Sequence, residues 1–298
     1  MDTEKKPTQD RRARAYRTGA KVTRERMSRE APLDAAALEA VQASDIVVVP
    51  GIYDHVEQVL QALEMPFTTV GPAQLGSLHL RPEQLLVVNC PGDGLGRAVP
   101  AIRSFVEAGG SLFSTDWALQ HVIEPAFPGT LAYNQRPTRD DVVRIEIRSQ
   151  DNPFLQGVLD PGDDPLWWLE ASSYPIKILD PSRVEVLISS SELQTRYGEA
   201  PVAVLFHVGE GEVFHMISHY YLQRTELRNA RHQQTAEVYA AEKGIMFDAG
   251  MAAEASDLTL GDVESAATSS RLLANVLAAK KRKMARAGSE PSTDTERK

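Results

Sequence analysis

Two stretches of the chain, SDIVVVPG (44–51) and QLLVVNCPG (84–92), are uninterrupted apolar runs closed by Pro-Gly. Runs of β-branched and leucine side chains without alternation suit strands covered on both faces of a parallel sheet. Between them, HVEQVLQALE (55–64) spaces Val56, Val59, Leu60 and Leu63 by three and four, which predicts an amphipathic helix. PFTTV (66–70) predicts a short strand. RAVPAIRSFVEAGG (97–110) predicts a second helix, with Val99, Ile102, Phe105 and Val106 on one face and Gly109 past its end. GGSLFSTDWALQHV (109–122) then predicts a buried strand that turns into a helix at Asp116 and Trp117. This alternation is that of a doubly wound, mostly parallel sheet flanked by helices.

Beyond Asp141 the pattern changes. VVRIEIRSQ (142–150) alternates like a half-exposed strand, and LDPGDDPLWWLEASSYP (159–175) predicts a loop in which one of Trp167 and Trp168 packs inward while the other stays available. VEVLISSS (184–191) precedes a late β-hairpin, PVAVLFHVGEGEVFHMISHYY (201–221), folded at Gly209-Glu210-Gly211. The expected organisation is a basic, disordered arm over residues 1–30, an α/β domain over 31–222, a C-terminal helical extension over 223–287 and a disordered tail over 288–298.

Composition narrows this picture. At 298 residues and 42% hydrophobic content the chain buries a sizeable core as one large domain with tails. A single cysteine, Cys90, excludes an internal disulfide and fits a reducing compartment. No run reaches membrane-spanning length, and the basic start has no apolar leader segment, so the expectation is a cytoplasmic protein without membrane contact. The net charge of -9 is uneven: residues 1–30 carry ten basic and five acidic side chains, and residues 278–298 carry seven and three. The acidic body between these ends argues against duplex nucleic acid as its ligand. A small molecule or a protein partner is expected instead, with self-association through the helical extension.

Ligands of an open parallel sheet lie beyond the carboxyl ends of its strands. Gly51, Tyr53, Asp54, Asn89, Gly92, Asp93, Thr115 and Trp117 fall at such ends and form the expected ligand-binding set. Cys90, His55, Asp116 and His219 are the candidate reactive groups. Asp116 could equally cap the helix that follows it. His215 and His219 would stand roughly 13 Å apart on a straight strand, at ~3.3 Å per residue, too far to share an ion. No metal and no cofactor is therefore expected.

Three of these phrases carry a resemblance. FVEAGGSLFSTDWAL resembles the helix, double glycine, strand and elbow of the class I glutamine amidotransferase-like superfamily. NCPGDG is similar to its Gly/Pro-rich loop, whose backbone amides supply an oxyanion hole in active relatives. PVAVLFHVGEGEVFHMISH resembles the histidine-ended late hairpin of the trehalose-utilisation-like (ThuA-like) branch. The resemblance spans Ser44 to Tyr221 and implies a flavodoxin-like or amidotransferase-like fold. It also marks a departure, because Asp116 stands where the superfamily carries its elbow cysteine, and His219 is followed by Tyr220, Tyr221 and Leu222 instead of a His-x-Pro-x-Glu phrase. Glutaminase chemistry is accordingly not expected. The leading reading is a non-catalytic domain that binds a small ligand or a protein partner. The alternatives are a hydrolase of the same fold, acting through Cys90 with His55 or through Asp116 with His219 on a sugar-like or amide substrate, and an interaction scaffold with a vestigial site.

Overall fold

The computed structural model describes residues 9–221 and 229–287. The expected disordered tail and the first residues of the expected helical extension lie outside them. The described residues form twelve strands: β1 (Ile46–Val49), β2 (Thr68–Thr69), β3 (Leu85–Val88), β4 (Ser111–Thr115), β5 (Leu131–Tyr133), β6 (Asp141–Arg144), β7 (Glu146–Ile147), β8 (Leu166–Leu169), β9 (Ile176–Ile178), β10 (Val184–Ser189), β11 (Pro201–Val208) and β12 (Gly211–Met216). Eight of them form one sheet in the order β2-β1-β3-β4-β12-β11-β10-β7. The pairings from β2 to β12 are parallel, and those of β11, β10 and β7 are antiparallel. Every residue of β1, β3 and β4 is buried, which is why their sequences run apolar without alternation.

The order of the first strands reverses between β1 and β3, with the helix Val56–Ala62 connecting β1 to β2 and the helix Val99–Glu107 connecting β3 to β4. That reversal leaves a crevice at the carboxyl ends of β1 and β3. The predicted hairpin is present as β11 and β12, with β12 inserted as the parallel neighbour of β4. The predicted single strand from Val142 is instead split, since β6 pairs with β8 while β7 joins the edge of the main sheet.

Two expectations are corrected here. The tryptophans do not divide between core and surface: Trp167 and Trp168 lie within β8 and both are 1% exposed. Pairing with β6 turns the supposed loop into a two-stranded ladder covered on both sides. The basic arm is not disordered from residue 9 onward, because Gln9–Glu30 is a helix whose Tyr16, Ala20, Val22 and Met27 are buried. Its charges have partners in the acidic part of the chain: Arg11 meets Asp262 at 2.7 Å, Lys21 meets Asp248 at 2.9 Å, and Arg26 meets Asp160 at 2.9 Å. An exposed pair such as Lys21 with Asp248 contributes about 0–1 kcal/mol, whereas the buried Arg26 pair offsets its own desolvation, so the apolar strip does most of the docking.

That strip lies on the terminal helix, Leu260–Ala287, which belongs to the same continuous core as the sheet and is not an appendage. Its polar residues are built into the fold. Asn275 Nδ2 donates to the carbonyls of Phe154 (2.9 Å) and Gln156 (2.8 Å), and Lys280 Nζ donates to those of Pro82 and Gly109, both at 2.8 Å. The two helices approach closely at Gly19, where an added Cβ would lie 2.7 Å from the Ala267 nitrogen. Gly19→Ala should therefore lower stability by about 1–3 kcal/mol, read as a shifted urea midpoint with an unchanged m-value. An unchanged midpoint would show that the helices are not held at this distance. No helix of the described residues is long and apolar enough to cross a membrane.

Candidate functional site

Four strand ends meet at the crevice. After β1 the chain passes Pro50-Gly51, and the N–H groups of Ile52 and Tyr53 both donate to the Cys90 carbonyl, at 3.1 and 3.3 Å. After β3, the Cys90 N–H donates to Thr115 Oγ1 at 3.1 Å, tying the second loop to the end of β4. After β4, Asp116 adopts a left-handed φ of 46°, so the chain turns sharply and its carboxylate projects back over the sheet. After β12, Ser218 has φ 61°, and the bend sends His219 toward Asp116.

Several residues expected to bind a ligand instead hold this framework together. The buried Asp54 carboxylate accepts from the N–H groups of His55 (2.8 Å), Tyr220 (2.8 Å) and Tyr221 (2.9 Å). Asn89 Oδ1 accepts from the Val56 N–H at 3.1 Å, and its Nδ2 donates to Glu57 at 2.9 Å. Thr115 is consumed by Cys90, and Gly51 is packed against the Cys90 carbonyl. Asp93 accepts from the Gly94 N–H at 2.7 Å and lines a separate hollow with Pro72 and Arg97. The Gly92 N–H donates to the Asn89 carbonyl at 2.9 Å. The Cys90 and Gly92 amides of NCPGDG thus have partners within the protein, unlike the oxyanion donors that the resemblance implies.

The remaining residues enclose a cavity of about 170 Å³, lined by Tyr53, Cys90, Asp116, Trp117, Glu170, Ala171, Ser172 and His219. Asp116 does not cap its own helix. Its Oδ1 accepts from the Tyr174 N–H at 2.8 Å, and its Oδ2 accepts from Ser173 Oγ at 3.1 Å. His219, 2% exposed, sits between two acids, with Nδ1 2.6 Å from Glu170 Oε2 and Nε2 3.7 Å from Asp116 Oδ2. Burial disfavours a charged imidazole, but the carboxylates of Glu170, Asp54 and Asp116 outweigh it and raise the His219 pKa. Burial pushes the Asp116 carboxyl up to about 6, against the pull of His219, the Tyr174 amide and Ser173.

Cys90 is the weakest of the candidate nucleophiles. Burial and then the Asp116 charge raise its thiol pKa, which disfavours a free thiolate nucleophile; only a directly bound cation would offset that cost. His55 does not assist it, because its Nδ1 is engaged by Glu57 Oε1 at 3.0 Å, and it is absent from the cavity wall. The pairing of Cys90 with His55 is therefore corrected. His215 and His219 part company at the bend: His215 points into the sheet, 2.9 Å from Ser114 Oγ, and burial lowers its pKa to about 3, keeping it neutral. The expectation of no metal-ligating set changes as well, since Cys90, Asp116 and His219 bring one donor atom each to within 4.8 Å of one another.

An aromatic file covers the opening. Tyr53 meets Trp117 edge-on with centroids 5.4 Å apart, Trp117 stacks on Tyr174 at 5.3 Å, and Tyr174 stacks on Tyr133 at 3.8 Å. Trp117 Nε1 donates to the Ser172 carbonyl at 2.7 Å, so the strand-to-helix corner is pinned to the loop after β8. Sequence reading missed Glu170, Ser172, Ser173 and Tyr174. One signal pointed to them: LEASSY follows an apolar run with an acid, the same succession that marks Asp116 after β4.

No known protein-family profile matches the chain, and no curated protein does. Solved structures of similar shape do exist. The chain is similar to a protein from Thermoplasma acidophilum described as a GMP synthase component, with 12% identity and a TM-score of 0.49 over 82% of this chain and 97% of that one. It is similar to PurLQS from Thermotoga maritima at 18% identity and a TM-score of 0.44, covering 59% and 87%. It is also similar to a ThuA-like protein from Bacteroides uniformis at 13% identity and a TM-score of 0.40, covering 59% and 82%. The chain itself is an α/β protein with a mostly parallel central sheet of eight strands flanked by helices.

Proposed function

We propose that this chain binds a small, hydroxyl-bearing ligand in the cavity between Asp116, His219 and Glu170, without a cysteine nucleophile. The observation that supports this most directly is the convergence of these three groups, from β4, β12 and the loop after β8, on one wall beneath Tyr53 and Trp117. A few polar groups set among aromatic surfaces are the usual make-up of a small-molecule site. Two carboxylates around one imidazole leave the wall short of positive charge, which favours a neutral ligand over an anionic one. Hydroxyl groups can donate to the carboxylates, while the faces of Tyr53 and Trp117 accept an apolar ring edge. A cavity of about 170 Å³ suits a ligand well below drug size.

A second reading, hydrolysis with His219 as the proton-transfer group, draws support from the closeness of Asp116 at 3.7 Å. It is the weaker reading because the Asp116 carboxylate already accepts bonds from Ser173 and Tyr174, which hold it away from nucleophilic attack.

A thermal-shift screen of sugars, polyols, amino acids and nucleotides tests the binding reading. A ligand present at a hundred times its Kd should add about 2.7 kcal/mol of stability. Trp117→Ala and Glu170→Gln should each remove that shift while leaving the unliganded protein folded. A shift that survives both substitutions would place the ligand elsewhere and overturn the reading. Release of product from the same ligand, lost in His219→Ala, would favour hydrolysis instead.

A further inference from the structure

We infer that the cavity holds one divalent transition-metal ion of the zinc class, ligated by Cys90 Sγ, an Asp116 carboxylate oxygen and a ring nitrogen of His219. The inference rests on reading this cavity as the functional site, and it adds an ion as part of what the site takes.

The geometry is close to that of a ligand cage. Zinc holds imidazole nitrogen and carboxylate oxygen at about 2.0–2.2 Å and thiolate sulfur at about 2.3 Å, so tetrahedral donors stand roughly 3.3–3.6 Å from one another. Here His219 Nε2 is 3.7 Å from Asp116 Oδ2, Cys90 Sγ is 3.9 Å from the same oxygen, and all three donor atoms fall within 4.8 Å. A shift of a few tenths of an ångström closes the two pairs that share Asp116, and one of about an ångström at most closes the Cys90–His219 pair. One sulfur, one nitrogen and one oxygen form a borderline-soft combination that suits zinc or cobalt and discriminates against magnesium and calcium.

The surroundings are those of a ligating histidine. Nδ1 of His219 stands 2.6 Å from Glu170 Oε2 as an ion-pair contact outside hydrogen-bond geometry, and a small turn of the ring converts it into the carboxylate–histidine arrangement that fixes which nitrogen is presented. Trp168 packs its ring edge-on against the imidazole at 6.0 Å. Asp116 is oriented in turn by the Tyr174 amide and the Ser173 hydroxyl. All three donors are buried at the base of an open cavity, and three protein ligands facing such a space leave a coordination position for a bound molecule.

The test is cobalt titration of the full chain after stripping with a chelator. One equivalent of Co²⁺ should develop a thiolate-to-cobalt charge-transfer band in the near ultraviolet. Because Cys90 is the chain's single cysteine, that band can come from no other residue. Cys90→Ser should lose the band, and Glu170→Gln should keep it with affinity weakened 10–100-fold. X-ray absorption of the zinc-loaded wild-type chain should show one sulfur neighbour at about 2.3 Å, a check that does not depend on any variant folding. Absence of the band at saturating cobalt, a sulfur-free zinc shell, or undiminished affinity in Glu170→Gln would each overturn the inference. If the band is absent while a sugar or polyol still stabilises the stripped protein through Trp117, the metal assignment falls and the binding reading stands.

Discussion

Asp54→Ala should unfold more readily than the parent chain by about 4 kcal/mol, because a fully buried carboxylate that accepts three backbone N–H groups is removed at once. Hydrogen bonds to charged acceptors contribute about 1.5–3 kcal/mol each, and the abandoned N–H groups of Tyr220 and Tyr221 find no water in the core. The contributions are not additive, which keeps the expected loss below their sum. Asp54→Asn retains one acceptor oxygen and should lose roughly half as much. Urea unfolding at neutral pH provides the measurement. A loss below about 1 kcal/mol in Asp54→Ala would mean that the two amides re-pair easily, and that Asp54 does not fix the segment carrying His219. The same substitution should abolish ligand-dependent stabilisation even though Asp54 does not line the cavity, because His219 immediately precedes the two amides it anchors.

Gly51→Ala should cost about 3 kcal/mol and damage the site as much as the fold. An added Cβ would lie 2.2 Å from the Cys90 carbonyl oxygen, 2.7 Å from Asn89 Cβ and 2.9 Å from the Asp54 carbonyl oxygen. Two of these atoms belong to the backbone, so no side-chain rotation relieves the clash, and overpacking of this kind is typically worth 1–3 kcal/mol or more. The loops after β1 and β3 would have to separate, stretching the bonds from Ile52 and Tyr53 to Cys90. Urea unfolding should show the loss, and the cavity should no longer bind its ligand. A variant as stable as the parent would show that the loops can part at little cost.

The strands that frame the site were legible because burial on both faces leaves an unmistakable mark: IVVV, LLVV and SLFST contain no outward position. Strand ends could therefore be located, and Tyr53, Cys90, Asp116, Trp117 and His219 do meet there. What the sequence could not distinguish was the direction in which a polar side chain at such an end is used. Asp54, Asn89 and Thr115 look like site residues, yet each turns to backbone donors or acceptors that the sharp turns leave open. Glu170 was hidden for a different reason: it reaches His219 across a separation of 49 residues, and only the pairing of β6 with β8 carries it there. The N-terminal helix was obscured by its own charge, since ten basic residues in the first thirty suggest a solvated arm until the acids of the distant C-terminal region neutralise them.

That last pairing carries a consequence for how the molecule is made. The helix Gln9–Glu30 is synthesised about 230 residues before the helix on which it docks. At roughly 5–20 residues per second, it waits on the order of ten to fifty seconds for its partner. During that interval the helix has only its early neighbours, Pro32–Glu39 and Val56–Ala62, to pack on, and the face that meets Leu260–Ala287 is uncovered beside a row of arginines, the kind of charge that opposes aggregation. The same arginines that pair with distant acids in the finished molecule thus give this helix a soluble face while those acids have yet to be made.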